Sequence, residues 1–423
     1  MKRPPIRGIT VGIVANPASG RDVRRLVAHG SVFSIAEKCN MIVRLLAALG
    51  STGVERTLIA PDRAGIAERL RRATLSELST QAVFLDIPVE DGPIDTVRAI
   101  ERMVALGVSA IVVLGGDGTQ RLAARACGET PILALSTGTN NVFPEVREAT
   151  VAGLAAGLVA TGRVTAADAT VRNKTLWVEL KGGRQEIAVV DVSICSDAWL
   201  GARAVWRPES ISQIFVAFAE ADAIGLSSIA GLLHPVSRTE ACGLRVDLAP
   251  LETARAILHA PIAPGLLAPV GVEAVSELRP GERQAVRLAQ GTIALDGERE
   301  LAFTAGDQVT VRLDLHGPLT IDVDKAMASA VRDGLFLVER EFRHEGEGDV
   351  HEIGQVGATA SISDDEDHSG VRGTDSRRIC DRRHTGVRPS LRWRGSHRDR
   401  FLHESRPARQ DHEHAPGPRA LSR

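Results

Sequence analysis

The chain has 423 residues, 43% hydrophobic and 25% charged, the balance of a folded globular protein with room for two or three domains, which excludes disorder throughout. Fifty-one Lys and Arg against 53 Asp and Glu leave a formal net charge of −2, so no overall basic field exists to hold a nucleic-acid backbone. Aromatic residues are 3% with no Tyr, few platforms for stacked bases, and the five scattered cysteines (Cys39, Cys127, Cys195, Cys242, Cys380) form no CxxC pair, which argues against a zinc knuckle or disulfide framework and suits a reducing cytosol.

The N-terminus, MKRPPIRGITVGIVANPASG, has only the short apolar run VGIVA before Asn16, Pro17 and Gly20, so it reads as a strand entering a turn and not as a signal peptide. No stretch reaches the roughly 18 uninterrupted apolar residues of a membrane helix. A cytoplasmic location without stable membrane insertion is expected. From Ile9 to about Gly162, β-branched runs alternate with amphipathic ones: ITVGIVA (9–15), RTLIAP (56–61), AVFLDIPV (82–89), AIVVLGG (110–116) and ILALST (132–137) predict strands. EKCNMIVRLLAAL, AGIAERLRRA, IDTVRAIERMVAL and QRLAARAC between them return apolar residues every three or four positions and predict helices. The alternation predicts a Rossmann-like α/β domain over 1–148.

ATVAGLAAGLVATG (149–162) predicts a further helix, after which the period moves towards two. TLWVEL, EIAVVDVSI, GLRVDL, ARAILHA, AVRLAQG, TIALDG and QVTVRLDL predict a β-rich domain over 149–323, with SISQIFVAFAEA (210–221) as its one helix. Residues 324–341 begin as another helix. The segment 342–423 holds eight of the twelve His, fifteen Arg, fourteen Asp and Glu and no Lys, with hardly any apolar run, so a disordered tail is expected. So abrupt a break in composition is also what translation out of frame in a GC-rich region would produce, which resequencing around codon 342 tests.

Four motifs carry the chemistry. Gly115, Gly116, Asp117, Gly118 and Thr119 follow the run AIVVL and precede a helix, where glycines let backbone approach a phosphate and the helix N-terminus favours an anion. A carboxylate there needs a task, such as a link to Mg²⁺ or taking a proton from an attacking hydroxyl; the alternative is a glycine turn whose Asp caps the helix. Asn16, Ser19 and Gly20 follow the first strand, and Thr139, Asn140 and Asn141 follow the fifth, so all lie at carboxyl ends of strands, where open α/β sheets bind ligands. In the β-rich part, Asp296 and Glu298 flank a tight turn, for which a plain Asp-Gly hairpin is the alternative.

NPASG, GGDGT, GTNN and LDGE, in this order, resemble the superfamily of ATP-NAD kinases and diacylglycerol or sphingosine kinases. With AHGSVFSIAEKCNMI and LSTGTNNVFP, the pattern over residues 8 to 340 is most similar to the acetoin-catabolism protein X branch. The resemblance implies ATP- and Mg²⁺-dependent phosphoryl transfer in a cleft between an α/β domain and a β-sandwich, cytoplasmic homo-oligomers, and a small-molecule acceptor, NAD giving NADP, with no nucleic-acid partner. It implies catalytic roles for Asp117, Asp296 and Glu298, and nucleotide binding by Asn16, Ser19, Gly20, Gly115, Gly116, Gly118, Thr119, Thr139, Asn140 and Asn141. Metal ligands are not assigned.

Two departures bear on the acceptor. Where NAD kinases carry an Asn-Glu pair, this chain has Val190 and Asp191, so Asp191 alone remains for acceptor binding; where lipid kinases continue with Asp after the Asn, Val142 stands. The alternatives are a lipid kinase, favoured by GTNN and DGE, and a nucleotide-binding regulator without turnover.

Overall fold

The computed structural model describes residues 8–20, 33–73, 77–138, 141–197, 205 and 207–337. The five expected N-terminal strands are present as β1 (Thr10–Ala15), β2 (Arg56–Ile59), β3 (Gln81–Phe84), β4 (Ala110–Gly115) and β5 (Ile132–Ser136). The helices between them are α1 (Ile35–Ser51), α2 (Ile66–Arg72), α3 (Pro93–Ala105) and α4 (Asp117–Ala126). Ser34 starts α1 by accepting the Glu37 N–H at 3.1 Å, and the Asp62 carboxylate starts α2 by accepting those of Ile66 and Ala67 at 3.0 and 2.6 Å. In α5 (Ala149–Ala160), small residues let the helix lie close on α1: a Cβ on Gly153 would stand 2.8 Å from that of Ala48, and one on Gly157 would collide with Thr52.

After α6 (Ala166–Ala169) and β6 (Thr170–Arg172) the chain becomes β-rich: β7 (Thr175–Glu179), β8 (Gln185–Ala188), β9 (Asp191–Cys195), β10 (Ile211–Val216), α7 (Ser227–Leu233), β11 (Gly243–Leu248), β12 (Ala256–Ala263), β13 (Leu266–Leu278), β14 (Arg283–Ala285), β15 (Gly291–Leu295), β16 (Glu298–Phe303) and β17 (Thr310–Asp314). β18 (Leu319–Ile321) and α8 (Val323–Arg332) follow.

The first sheet has the order β3-β2-β1-β4-β5-β18-β6; β1 to β5 and β18 run parallel, and β6 pairs antiparallel with β18. Leu45 and Leu49 of α1, Ala152 of α5 and Ala326 of α8 cover one face, and Ile100 and Met103 of α3 with Ala123 of α4 cover the other. Burial on both faces explains why these strands are short unbroken apolar runs. The antiparallel sheet β12-β13-β11-β10-β9-β15-β16 packs on the sheet β14-β17-β7-β8, with Val178, Val192, Phe215, Leu295 and Val311 fully buried between them. Residues 149–172 and 319–332, although the sequence pattern predicts a β-rich domain over 149–323, pack with the first sheet.

One expectation is overturned. SISQIFVAFAEA holds no α-helix: Ser210 ends a short 3-10 turn (Pro208–Ser210), Ile211–Val216 is the central strand β10, paired antiparallel with β9 and β11, and the α-helix of this region is α7. Five of the six β10 residues are buried and its two polar residues, Ser212 and Gln213, stand side by side, so no alternation marks a period of two, and Ile211, Ile214 and Phe215 imitate a helical spacing. AVRLAQG likewise yields only Ala285, the end of β14, and Gly291, the start of β15. The tail 342–423 lies outside the described residues, and no helix among the described residues is long and apolar enough to cross a membrane.

Strand order reverses at β1, which lies between β2 and β4. The carboxyl ends of β1, β4 and β5 therefore open on one crevice, the usual ligand position of an open parallel sheet.

Candidate functional site

Three turns meet at that crevice, stitched by side-chain hydrogen bonds. Asn16, just past β1, donates from Nδ2 to Thr119 Oγ1 at 2.8 Å and accepts the Ala18 N–H on Oδ1 at 2.8 Å, so one side chain both shapes its own turn and ties it to α4. Ser19 Oγ lies 2.7 Å from Thr137 Oγ1, joining the first turn to the one after β5. Asn141 Nδ2 donates to Ser136 Oγ at 2.7 Å, and its amide wedges between two glycines: a Cβ on Gly116 would stand 2.7 Å from Asn141 Oδ1, and one on Gly138 2.5 Å from it. Gly115 is needed because a Cβ there would run into the Thr119 side chain. At Gly118, by contrast, a Cβ would meet nothing within 4 Å, so this residue leaves open space at the first turn of α4.

Asp117 opens α4, where the helix dipole favours a negative charge. Its carboxylate accepts the Val142 N–H on both oxygens at 3.1 Å and the Phe143 N–H at 2.8 Å, which fastens the far end of the β5 turn to the helix. The carbonyls of the same two residues face the β-rich part, where Arg238 donates to them at 2.7 and 3.0 Å while its guanidinium lies 4.2 Å from the Phe218 ring centroid. Val142–Phe143 is thus gripped by a carboxylate on one edge and a guanidinium on the other. Arg238→Ala is expected to cost about 2–4 kcal/mol, from two carbonyls left without a charged donor and a lost ring contact; a urea titration reads it as a lower midpoint at unchanged slope.

Beneath the first turn lies Lys38 of α1, with no solvent exposure. Its ammonium donates to the carbonyls of Asn16, Pro17 and Ser19 at 2.9, 3.2 and 3.0 Å. Reading motifs alone passes over this residue. The available signal is a charged residue on the apolar stripe of α1, three positions after Ile35 and four before Ile42. Arg238 has no comparable local signal.

Across the cleft, of about 500 Å³, stands the turn between β15 and β16. Asp296, in the left-handed region at φ 51°, buries its side chain completely and accepts the N–H groups of Val189 (3.0 Å), Val190 (2.8 Å) and Asp191 (3.3 Å), wrapping the corner between β8 and β9 around its carboxylate. Burial pushes this carboxyl well above the usual range, which Asp191 and Asp117 reinforce, while Arg121 and the Val190 N–H oppose it. Only the backbone of Asp296 is then left to face the cleft. Glu298 lines the cleft directly. Asp191 does not: it is buried at the start of β9, bonded to Ser193 Oγ at 3.3 Å, because the corner that carries it is folded about Asp296.

Of the residues expected to bind nucleotide, Asn16, Ser19, Gly20, Gly116, Gly118, Thr119 and Asn141 line the cleft with Asp117, whereas Gly115 supports it from inside β4. Thr139 and Asn140 lie outside the described residues. Among the described residues no group of three or more His, Cys, Asp or Glu has the geometry to hold a metal ion. Magnesium commonly uses one or two carboxylates, water and substrate phosphates, so the residues present fit an ion that comes with a nucleotide, with Glu298 as one carboxylate on the cleft opposite Asp117.

A GGDGT turn at a parallel strand's carboxyl end, facing an acidic hairpin across a cleft, defines a kinase-like class, and residues 11–164 match the model of the ATP-NAD kinase N-terminal domain. Residues 174–316 match the C-terminal domain of acetoin catabolism protein X. The chain belongs to the acetoin catabolism protein X family: the protein of that name from Cupriavidus necator is 48% identical over 334 residues, which span 77% of this chain and 93% of the relative. A crystal structure of a candidate diacylglycerol kinase from Bacillus anthracis aligns over 75% of this chain and 98% of its own, at 13% identity and a TM-score of 0.38.

Proposed function

We propose that the cleft binds ATP with Mg²⁺ and passes the terminal phosphoryl group to a hydroxyl of a small molecule, with NAD as the first acceptor to test and NADP as its product. The observation that carries this reading is the meeting of three turns, from β1, β4 and β5, at the N-terminus of α4 and opposite Glu298 in one cleft. The amides of Gly20, at the end of the first turn, and of Gly116 and Gly118 hold phosphates there, supported by the helix dipole; those of Asn16, Ala18 and Ser19 are spent on shaping the turn. Glu298 would help hold an Mg²⁺ that arrives with the nucleotide, which would supply neutralisation of the charge on the phosphates. Asp117 orients the acceptor hydroxyl and takes its proton, Glu298 lies on the acceptor side, and Asp296 shapes the turn that carries Glu298. The matches to an ATP-NAD kinase N-terminal domain and to acetoin catabolism protein X support a kinase-like role connected with acetoin breakdown.

A second reading, a nucleotide-binding regulator without turnover, is favoured by a specific feature: Asp117 already accepts two backbone N–H groups and Asp296 is sealed from the cleft. NADP formation from NAD, ATP and Mg²⁺ by the full chain separates the two. Product supports the kinase reading; ATP binding by calorimetry without product from NAD, a diacylglycerol or a sphingoid base supports the regulator.

A further inference from the structure

Arg121 lies on α4 one turn beyond Asp117 and lines the cleft, yet its side chain is nine-tenths buried. Its Nη2 donates to Glu300 Oε1 at 2.9 Å, and its Nε lies 3.7 Å from Asp296 Oδ2. That Nε is buried and makes no hydrogen bond. A guanidinium held in this way, short of a full set of partners, costs desolvation that surface packing alone does not explain. Its two carboxylates belong to the turn and strand that flank Glu298, and one of them, Asp296, gathers the amides of Val189, Val190 and Asp191. The chain of contacts therefore runs from the GGDGT helix, through one side chain, to the strand corner and hairpin on the opposite wall.

We propose that Arg121 is a positioning residue that sets the distance between the two walls of the cleft, fixing Glu298 opposite Asp117 through its contacts with Asp296 and Glu300. The proposal rests on the kinase reading for its catalytic consequence but not for its structural one. Without Arg121 nothing on α4 meets the Asp296 turn with a positive charge, and the turn, already in a left-handed conformation at a non-glycine residue, relaxes. Phosphate binding on the α4 side is left intact, so ground-state ATP affinity is held while alignment in the transition state is lost.

Hydrogen exchange on the full chain tests the coupling without reference to activity. In Arg121→Met, amides 189–191 are expected to exchange about tenfold faster, with β1 and β4 unchanged. Arg121→Lys, which keeps a cation near Glu300, recovers part of this protection, and Glu300→Gln, at the rim, gives a smaller effect of the same sign should the Met variant fold poorly. With NAD, ATP and Mg²⁺, turnover of Arg121→Met falls about tenfold or more while the KM for ATP stays within about twofold. Unchanged exchange at 189–191 in both Arg121→Met and Glu300→Gln, or a loss confined to the KM for ATP, overturns the proposal. A wild-type chain that makes no NADP counts against the kinase reading alone, and the exchange result then decides whether Arg121 couples the walls.

Discussion

Asp117→Asn is expected to lower phosphoryl transfer about a thousandfold while leaving ATP affinity within a few-fold of the parent. The amide oxygen that replaces one carboxylate oxygen can still accept the N–H groups of Val142 and Phe143, so the β5 turn stays fastened and the cradle for phosphate persists. On the kinase reading, what is lost is the base. Steady-state rates set beside calorimetric ATP binding measure both quantities, and turnover within about threefold of the parent would reduce Asp117 to a structural tie. Asp117→Ala adds a second loss, about 1–3 kcal/mol for two amides left without their acceptor. The Asn and Ala variants together separate chemistry from architecture.

Lys38→Met is expected to cost about 3–5 kcal/mol, the largest stability effect of a single substitution at the site. Three carbonyls of the Asn16–Ser19 turn point at the ammonium, and the Met side chain, of similar length, fills the space without donating to any of them. Carbonyls that turn away to find water carry the neighbouring amides with them, so ATP affinity falls too, by about tenfold. Urea unfolding and calorimetric ATP binding check the two effects. A fall in affinity without a fall in stability would show that Lys38 acts on the ligand and not on the turn.

Much of the first sheet was legible in the sequence because its signals are local. Each strand from β1 to β5 is an apolar run bounded by turn residues, and each intervening helix, such as α3, shows its stripe of Ala99, Ile100 and Met103. The turns at β1, β4 and β5 could be read for the same reason, since glycine and asparagine announce themselves within five residues. β10 could not, because an almost wholly buried strand gives no polar alternation to set against a helical one. The true wiring of the site also escaped the sequence: Lys38 acts on a turn about twenty residues away, Arg238 grips residues 95 and 96 positions earlier, and Asp296 closes on amides more than a hundred positions away. An Asp-Gly pair looks the same in a sequence whether its carboxylate faces a ligand or is sealed under a strand corner. Only the packing of β8, β9 and β15 decides that.

The return of β18 to the first sheet has a topological consequence. The β-rich stretch leaves the parallel layer at β6 and comes back at β18, two strands that are hydrogen-bonded neighbours; the Asn173 N–H donates to Pro318 at 3.0 Å and the Gly317 N–H to Asn173 at 2.9 Å. The stretch is thus an insertion whose two ends are already clasped, and a closed loop grows costlier only slowly with its length. Its content can diverge while the GGDGT layer keeps its register, a modular arrangement that matches the division of the family models at 164 and 174. On the kinase reading, changes within the insert would reshape the Glu298 wall of the cleft and leave the turns after β1, β4 and β5 in place.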